Sequence, residues 1–170
     1  MAVAAMNHQF QEDPENTPKV RRLYMDDPLL ERVQEITELI SQRAFELFEA
    51  KGRLHGSNRE HWLQAESEIL RPMPTELSDS ETELTIYAEV PGFGPAHLEV
   101  AVASRHLYVL GDRREAAPRS HRGNLLMATI ELPVKIDADR IKATVKDGLL
   151  EISLPKVQTA KPLLAKSASA

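Results

Sequence analysis

Cysteine is absent from all 170 residues, which removes disulfide staples, a thiolate nucleophile and cysteine-ligated zinc or iron–sulfur centres. Such a chain suits a reducing compartment. Long apolar runs are missing too: no stretch approaches the ~18 apolar residues of a membrane-spanning helix. The opening MAVAAMNHQFQEDPEN has no basic n-region and no apolar h-region. The expectation is a cytoplasmic protein that does not enter a membrane. Positive charge is not in excess, since 21 Lys and Arg stand against 26 Asp and Glu for a formal net charge of −5. A global basic field for holding nucleic acid is therefore excluded. Nor is there a nucleophile elbow, a phosphate loop or an H-E-x-x-H pair. The chain reads as a non-enzyme, with no cofactor and no metal.

What is present is ordinary globular material, 42% hydrophobic and 28% charged. Residues 1–25 are polar and interrupted by Pro14 and Pro18, as in a flexible arm. Asp27-Pro28 is a helix-start signal, because the carboxylate accepts from free N–H groups and proline fits the first turn. Leu29, Val33, Ile36, Ile40, Ala44, Leu47 and Phe48 then recur at steps of three or four until Lys51-Gly52. Ser57 and Glu60 have capping-box spacing and open a second helix carrying Trp62, Ala65, Glu66 and Ile69, which Pro72 stops. Residues 26–71 are thus expected to form a helical hairpin, and the proline-, serine- and acid-rich 72–80 a linker.

Beyond the linker the apolar period changes to two. Leu84, Ile86, Ala88 and Val90 alternate with polar residues, followed by Leu98, Val100 and Val102, then Leu107 and Val109, then Leu126, Ala128, Ile130 and Leu132. Ile141, Ala143 and Val145 face Leu150, Ile152 and Leu154 across Asp147-Gly148, which suits a tight hairpin. Residues 81–156 are predicted to form an all-β, immunoglobulin-like sandwich, with 157–170 a flexible, lysine-bearing tail.

ELTIYAEVPGFGPAHLEVAVASRHLYVLGDR followed by LPVKIDADRIKATVKDGLLEISLPK resembles the α-crystallin domain of small heat-shock proteins. The resemblance covers roughly residues 81–156, with Ala143, Gly148 and Leu150 in the A-x-x-x-x-G-x-L signature and Leu154-Pro155-Lys156 closing it. It implies an ATP-independent holdase that binds partly unfolded client proteins, without catalytic residues. Carried over from the family's groove strands, the client-facing residues are Leu107, Val109, Leu150, Ile152 and Leu154. Ala128 stands where the family usually has arginine, the stretch from Gly111 to Leu125 is short, and Leu163-Leu164 lacks I-x-I spacing. A homodimer or small oligomer is expected from these departures. Residues 40–70, with Arg43-Ala44, Leu47, Gly52, His55-Gly56 and Trp62-Leu63-x-Ala65-Glu66, resemble a bacterial domain family of unknown function.

Other features have blander readings. His55 and His61, with Glu60 and Glu66, carry metal-ligating groups but not at i, i+4 on one helix, so a polar surface is expected. Trp62 reads as the plug of a small core. Arg113, Arg114, Arg119, His121 and Arg122 make a basic loop without interleaved aromatics, which speaks against nucleic-acid binding. Lys156, Lys161 and Lys166 read as solubilising residues beside an apolar strand. Two alternatives remain open at this point. One is a non-chaperone adaptor or co-chaperone using the same sandwich; the other is an active helical hairpin with the sandwich as a dimerisation aid.

Overall fold

Alternation with period two sends every second side chain of a strand to one face. In the computed structural model, which describes residues 14–53, 56–103, 105–114 and 123–158, that alternation builds two four-stranded sheets. One sheet has the spatial order β2 (Thr75–Asp79), β3 (Glu83–Glu89), β8 (Leu149–Pro155), β7 (Lys142–Lys146), all antiparallel. The other runs β1 (Lys19–Arg22), β4 (Leu98–Ala103), β5 (His106–Asp112), β6 (Leu125–Glu131); only β1 is parallel to its neighbour, β4. The inner faces meet through Leu84 and Ile86 of β3, Ile152 of β8, Val100 of β4 and Leu107 and Val109 of β5. Each such branched side chain contributes about 1.5–3 kcal/mol by leaving water. The predicted sandwich is therefore present, with the predicted strands of alternating residues in it.

Register follows from the turns. Asp147 and Gly148 take φ of 51° and 76°, the mirror-image turn that matches strand twist, and pair Val145 with Leu150 and Ala143 with Ile152. A Cβ on Gly148 would lie 3.2 Å from the Pro91 Cα, so both backbone angle and space require glycine here.

The helices are α1 (Pro28–Ala50) and α2 (Asn58–Ile69). Asp27 caps α1 as its sequence position implies, accepting from the Leu29 N–H at 2.9 Å. Ser57 does stand at the N-cap of α2, but its side chain makes no capping hydrogen bond there. The buried stripe of α1, Leu29, Ile36, Ile40 and Leu47, meets Ala65 of α2 and also Ala101, Leu110 and Leu125 on the outward face of the β5 sheet. That sheet is consequently covered on both faces, which explains why the β4 run LEVAVA and the β5 run LYVLG are nearly continuous in apolar residues.

Two segments differ from the sequence expectation. The stretch 72–80, read as a linker, contains β2, which pairs with β3 through a turn closed by Ser80: its N–H donates to the Glu83 carbonyl at 2.9 Å, and its hydroxyl accepts from the Glu83 N–H at 3.1 Å. Residues 19–22, read as part of a flexible arm, form β1. Both are edge strands held by backbone pairing, which needs no apolar pattern. Residues 1–13 of the arm, His55, Glu115, Arg119, His121, Arg122 and the tail from 159, including Lys161, Lys166 and Leu163-Leu164, lie outside the described residues.

Candidate functional site

The five residues expected to face a client are placed in the sandwich interior. Leu107, Val109, Leu150, Ile152 and Leu154 are each 0–1% exposed, because the alternation that made them conspicuous turns them toward the opposite sheet. This corrects the groove assignment: in this arrangement their side chains present no surface. The signature residues also act through the fold. Ala143 is buried opposite Ile152, Gly148 makes the turn, and Leu150 sits between Val145 and Ala88 across its two neighbouring strands.

The sheet edge along β4 is more informative. Without β1, the backbone of Leu98–Ala103 would form an open edge; with it, Lys19 pairs with Glu99, Val20 with Val100, Arg21 with Ala101 and Arg22 with Val102. The Leu23 N–H extends the pairing by donating to the Val102 carbonyl at 2.8 Å. Val20 is the one apolar side chain that β1 packs against the sandwich core. Arg21 forks onto Asp27, with Nε 2.8 Å from Oδ2 and Nη2 2.7 Å from Oδ1, and reaches Glu99 at 3.4 Å. Sequence reasoning missed this arrangement because KVRR carries a single apolar residue; the proximity of Arg21 to the Asp27 cap was the only local signal.

Charge is concentrated where β1, α1 and the β4–β5 edge meet. Glu99 is paired with Arg32 and Arg21 and lies 4.0 Å from Lys19, while Asp112 is 2.8 Å from Arg114 and 3.5 Å from Arg32. Arg114 also approaches Glu35 of α1 at 3.4 Å. The Arg21 hydrogen bond, opposed by burial and helped by the Leu29 N–H and the charges of Arg21 and Lys19, lowers the Asp27 carboxyl to about 2. Burial raises Asp112, but hydrogen bonds from the Arg114 side chain and backbone and the charges of Arg114 and Arg32 outweigh it and set the net direction downward. The open cleft among these groups, lined by Lys19, Arg32, Glu35, His97, Asp112 and Arg114, mixes both signs and is not an anion trap.

The remaining candidates have structural places. His61 is 1% exposed, edge-on to Phe48 with ring centroids 6.2 Å apart, so it is a core histidine and not the polar surface expected. Trp62 is half-buried against the helical cluster. Arg113 lies over the Phe93 ring at 5.3 Å, and Lys156 pairs with Asp79 at 2.5 Å, stapling β2 to the end of β8. Among the described residues no group of three or more His, Asp or Glu is arranged to hold a metal ion, and no helix is long and apolar enough to cross a membrane.

Comparison with known proteins matches residues 76–168, more than half of the chain, to the Hsp20/alpha crystallin family. Residues 35–71 match a family described as "Protein of unknown function (DUF2934)". The chain is 34% identical over 113 residues to heat shock protein 16 of Schizosaccharomyces pombe, covering 55% of this chain and 79% of that protein. It is 25% identical over 103 residues to small heat shock protein C4 of Rickettsia felis, covering 56% of this chain and 63% of that protein. The solved structure of heat shock protein 16.0 from Schizosaccharomyces pombe is 27% identical, covering 54% of this chain and 71% of that one, with a TM-score of 0.45.

Proposed function

We propose, because the chain belongs to the Hsp20/alpha crystallin family, that it is an ATP-independent chaperone: a holdase that binds partly unfolded proteins and keeps them from aggregating under stress. The pairing of β1 with β4 is the observation that carries this reading at the level of the site. β4 takes up an extended segment through backbone groups and asks of it one branched apolar side chain, Val20. An unfolded client meets that demand with almost any sequence, since main-chain hydrogen bonds supply affinity and alternate side chains supply what selectivity there is. We therefore assign client contact to the β4 edge, Leu98–Ala103, where a client strand takes the place of β1, with Leu107, Val109, Leu150, Ile152 and Leu154 supporting it from the interior. The working setting is the cytoplasm, the working form a homodimer or small oligomer, and the action is binding without catalysis.

The test is light scattering of malate dehydrogenase warmed with increasing amounts of the full chain and no nucleotide. Suppression near equimolar ratios is expected. Scattering unchanged at a several-fold molar excess would sink the holdase reading and leave the adaptor in its place.

A further inference from the structure

The β5 sheet is apolar on two faces, and only one of them looks into the sandwich. On the other, Ala101, Leu110 and Leu125 are 0–1% exposed beneath the helices, with Tyr108 and Met127 half-buried beside them. Ion pairs from α1 border this centre: Arg32 reaches Glu99 and Asp112, and Glu35 reaches Arg114. The paired side chains are 16–56% exposed, so water reaches them. An apolar centre with a wet, charged rim is the anatomy shared by surfaces between separable bodies.

The hairpin also carries a weakness of its own. Inside its small core His61 is buried with neither ring nitrogen hydrogen-bonded, which leaves two desolvated polar atoms uncompensated there. Its connections to the sheet are short extended segments: the Leu23 N–H is held by Val102, and the Arg71 N–H by Leu125, each at 2.8 Å. Units joined to a sheet in this way are the kind that open below the free energy of global unfolding.

We infer that the α1–α2 hairpin is a hinged cover, and that the outward face of the β5 sheet, centred on Leu110, is a second client-binding surface exposed when the hairpin lifts. The inference rests on the holdase reading and adds a site and its regulation to it. Its occupant is an apolar segment of a partly unfolded protein. The exposed centre, Ala101, Tyr108, Leu110, Leu125 and Met127, holds no ionised group that would select a particular folded partner, and the helical stripe now seated there, Leu29, Ile36, Ile40 and Leu47, shows what it accepts.

The experiment uses the full chain with p-benzoylphenylalanine in place of Tyr108, or of Tyr87 on the outward face of the opposite sheet as control, illuminated while malate dehydrogenase is warmed. Cross-linking of the client from position 108 and not from 87 is expected. Arg32→Ala with Glu35→Ala removes the three rim ion pairs and should raise the yield at 108 at room temperature about fivefold, a small combined effect because partly exposed pairs are each worth little. Suppressed scattering with no cross-link at 108 overturns the cover and leaves the holdase standing; no suppression and no cross-link at either position overturns both. A cross-link from 108 to a second copy of the chain overturns the client assignment in favour of exchanged hairpins. Hydrogen exchange on the unsubstituted chain is the second measurement: α1 and α2 amides exchanging together and at least tenfold faster than those of β3 and β8 support the cover, and equal rates overturn it.

Discussion

Asp27 does two things at one position: it caps α1 through the Leu29 N–H and ties α1 to β1 through Arg21. Replacing it by alanine should cost about 1 kcal/mol, within the usual range for a lost N-cap. The folded-state value near 2 lies below the ordinary 3.8, so the ionised form is the one that folding favours. The contribution is whole above 3.8 and is lost as pH falls through about 2. Urea unfolding of both forms from neutral pH downward should show a constant gap that closes across that window. A gap that persists at pH 2 would mean that the carboxylate charge is not what stabilises the cap. Gly148 offers a comparison of another kind. Gly148→Ala meets both the left-handed backbone cost, roughly 1–2 kcal/mol, and the approach to Pro91. Gly52→Ala meets only the first, since φ is +77° and nothing lies within 4 Å. The Gly148 variant should lose more by urea midpoint at unchanged slope; equal losses would remove Pro91 from the account.

Among elements, β1 is the one whose sequence says least and whose position says most. Val20→Asp puts a carboxylate against the apolar edge of the core, where burial without a partner is costly, and should release the strand from β4. Lys19, Arg21 and Arg22 make β1 itself a trypsin substrate, so cleavage there should accelerate about tenfold, the effect of a loss of about 1.4 kcal/mol on local opening. Unchanged protection would show that the backbone pairing holds without Val20. The same element marks where the sequence ceased to be legible. β3 to β8 and α1 were readable because packing imposes a period on their side chains, two for Leu84-Ile86-Ala88 and about 3.6 for Leu29-Val33-Ile36-Ile40. β1 (KVRR) and β2 (TELSD) set at most one apolar side chain against the core, so backbone pairing chiefly holds them and no side-chain period is imposed. The site was misread for the mirror-image reason: the strands apolar enough to attract notice, Leu107-Val109 and Leu150-Ile152-Leu154, are apolar because they are buried. The client contact proposed above is instead through backbone groups of β4, which no side-chain pattern announces.

At the scale of the whole molecule, β5 is shared between two apolar clusters. Leu107 faces the sandwich and Leu110, three positions on, faces the helices. Truncating either to alanine leaves a cavity and should cost about 2–5 kcal/mol, but the cost should fall on different bodies. Trp62 is the only tryptophan and lies half-buried in the hairpin cluster, so intrinsic fluorescence follows the hairpin, while hydrogen exchange in β3 and β8 follows the sandwich. Leu107→Ala undermines the sheet on which the hairpin rests, and both signals should move to lower urea together. Leu110→Ala removes the seat of α1 without touching the inter-sheet core. The Trp62 transition should then move to lower urea by the full amount, while protection in β3 and β8 stays near its original level. Were Leu110→Ala to shift both signals equally, the chain would be one cooperative unit, and a hairpin that lifts from an intact sandwich would not exist as a state of this molecule.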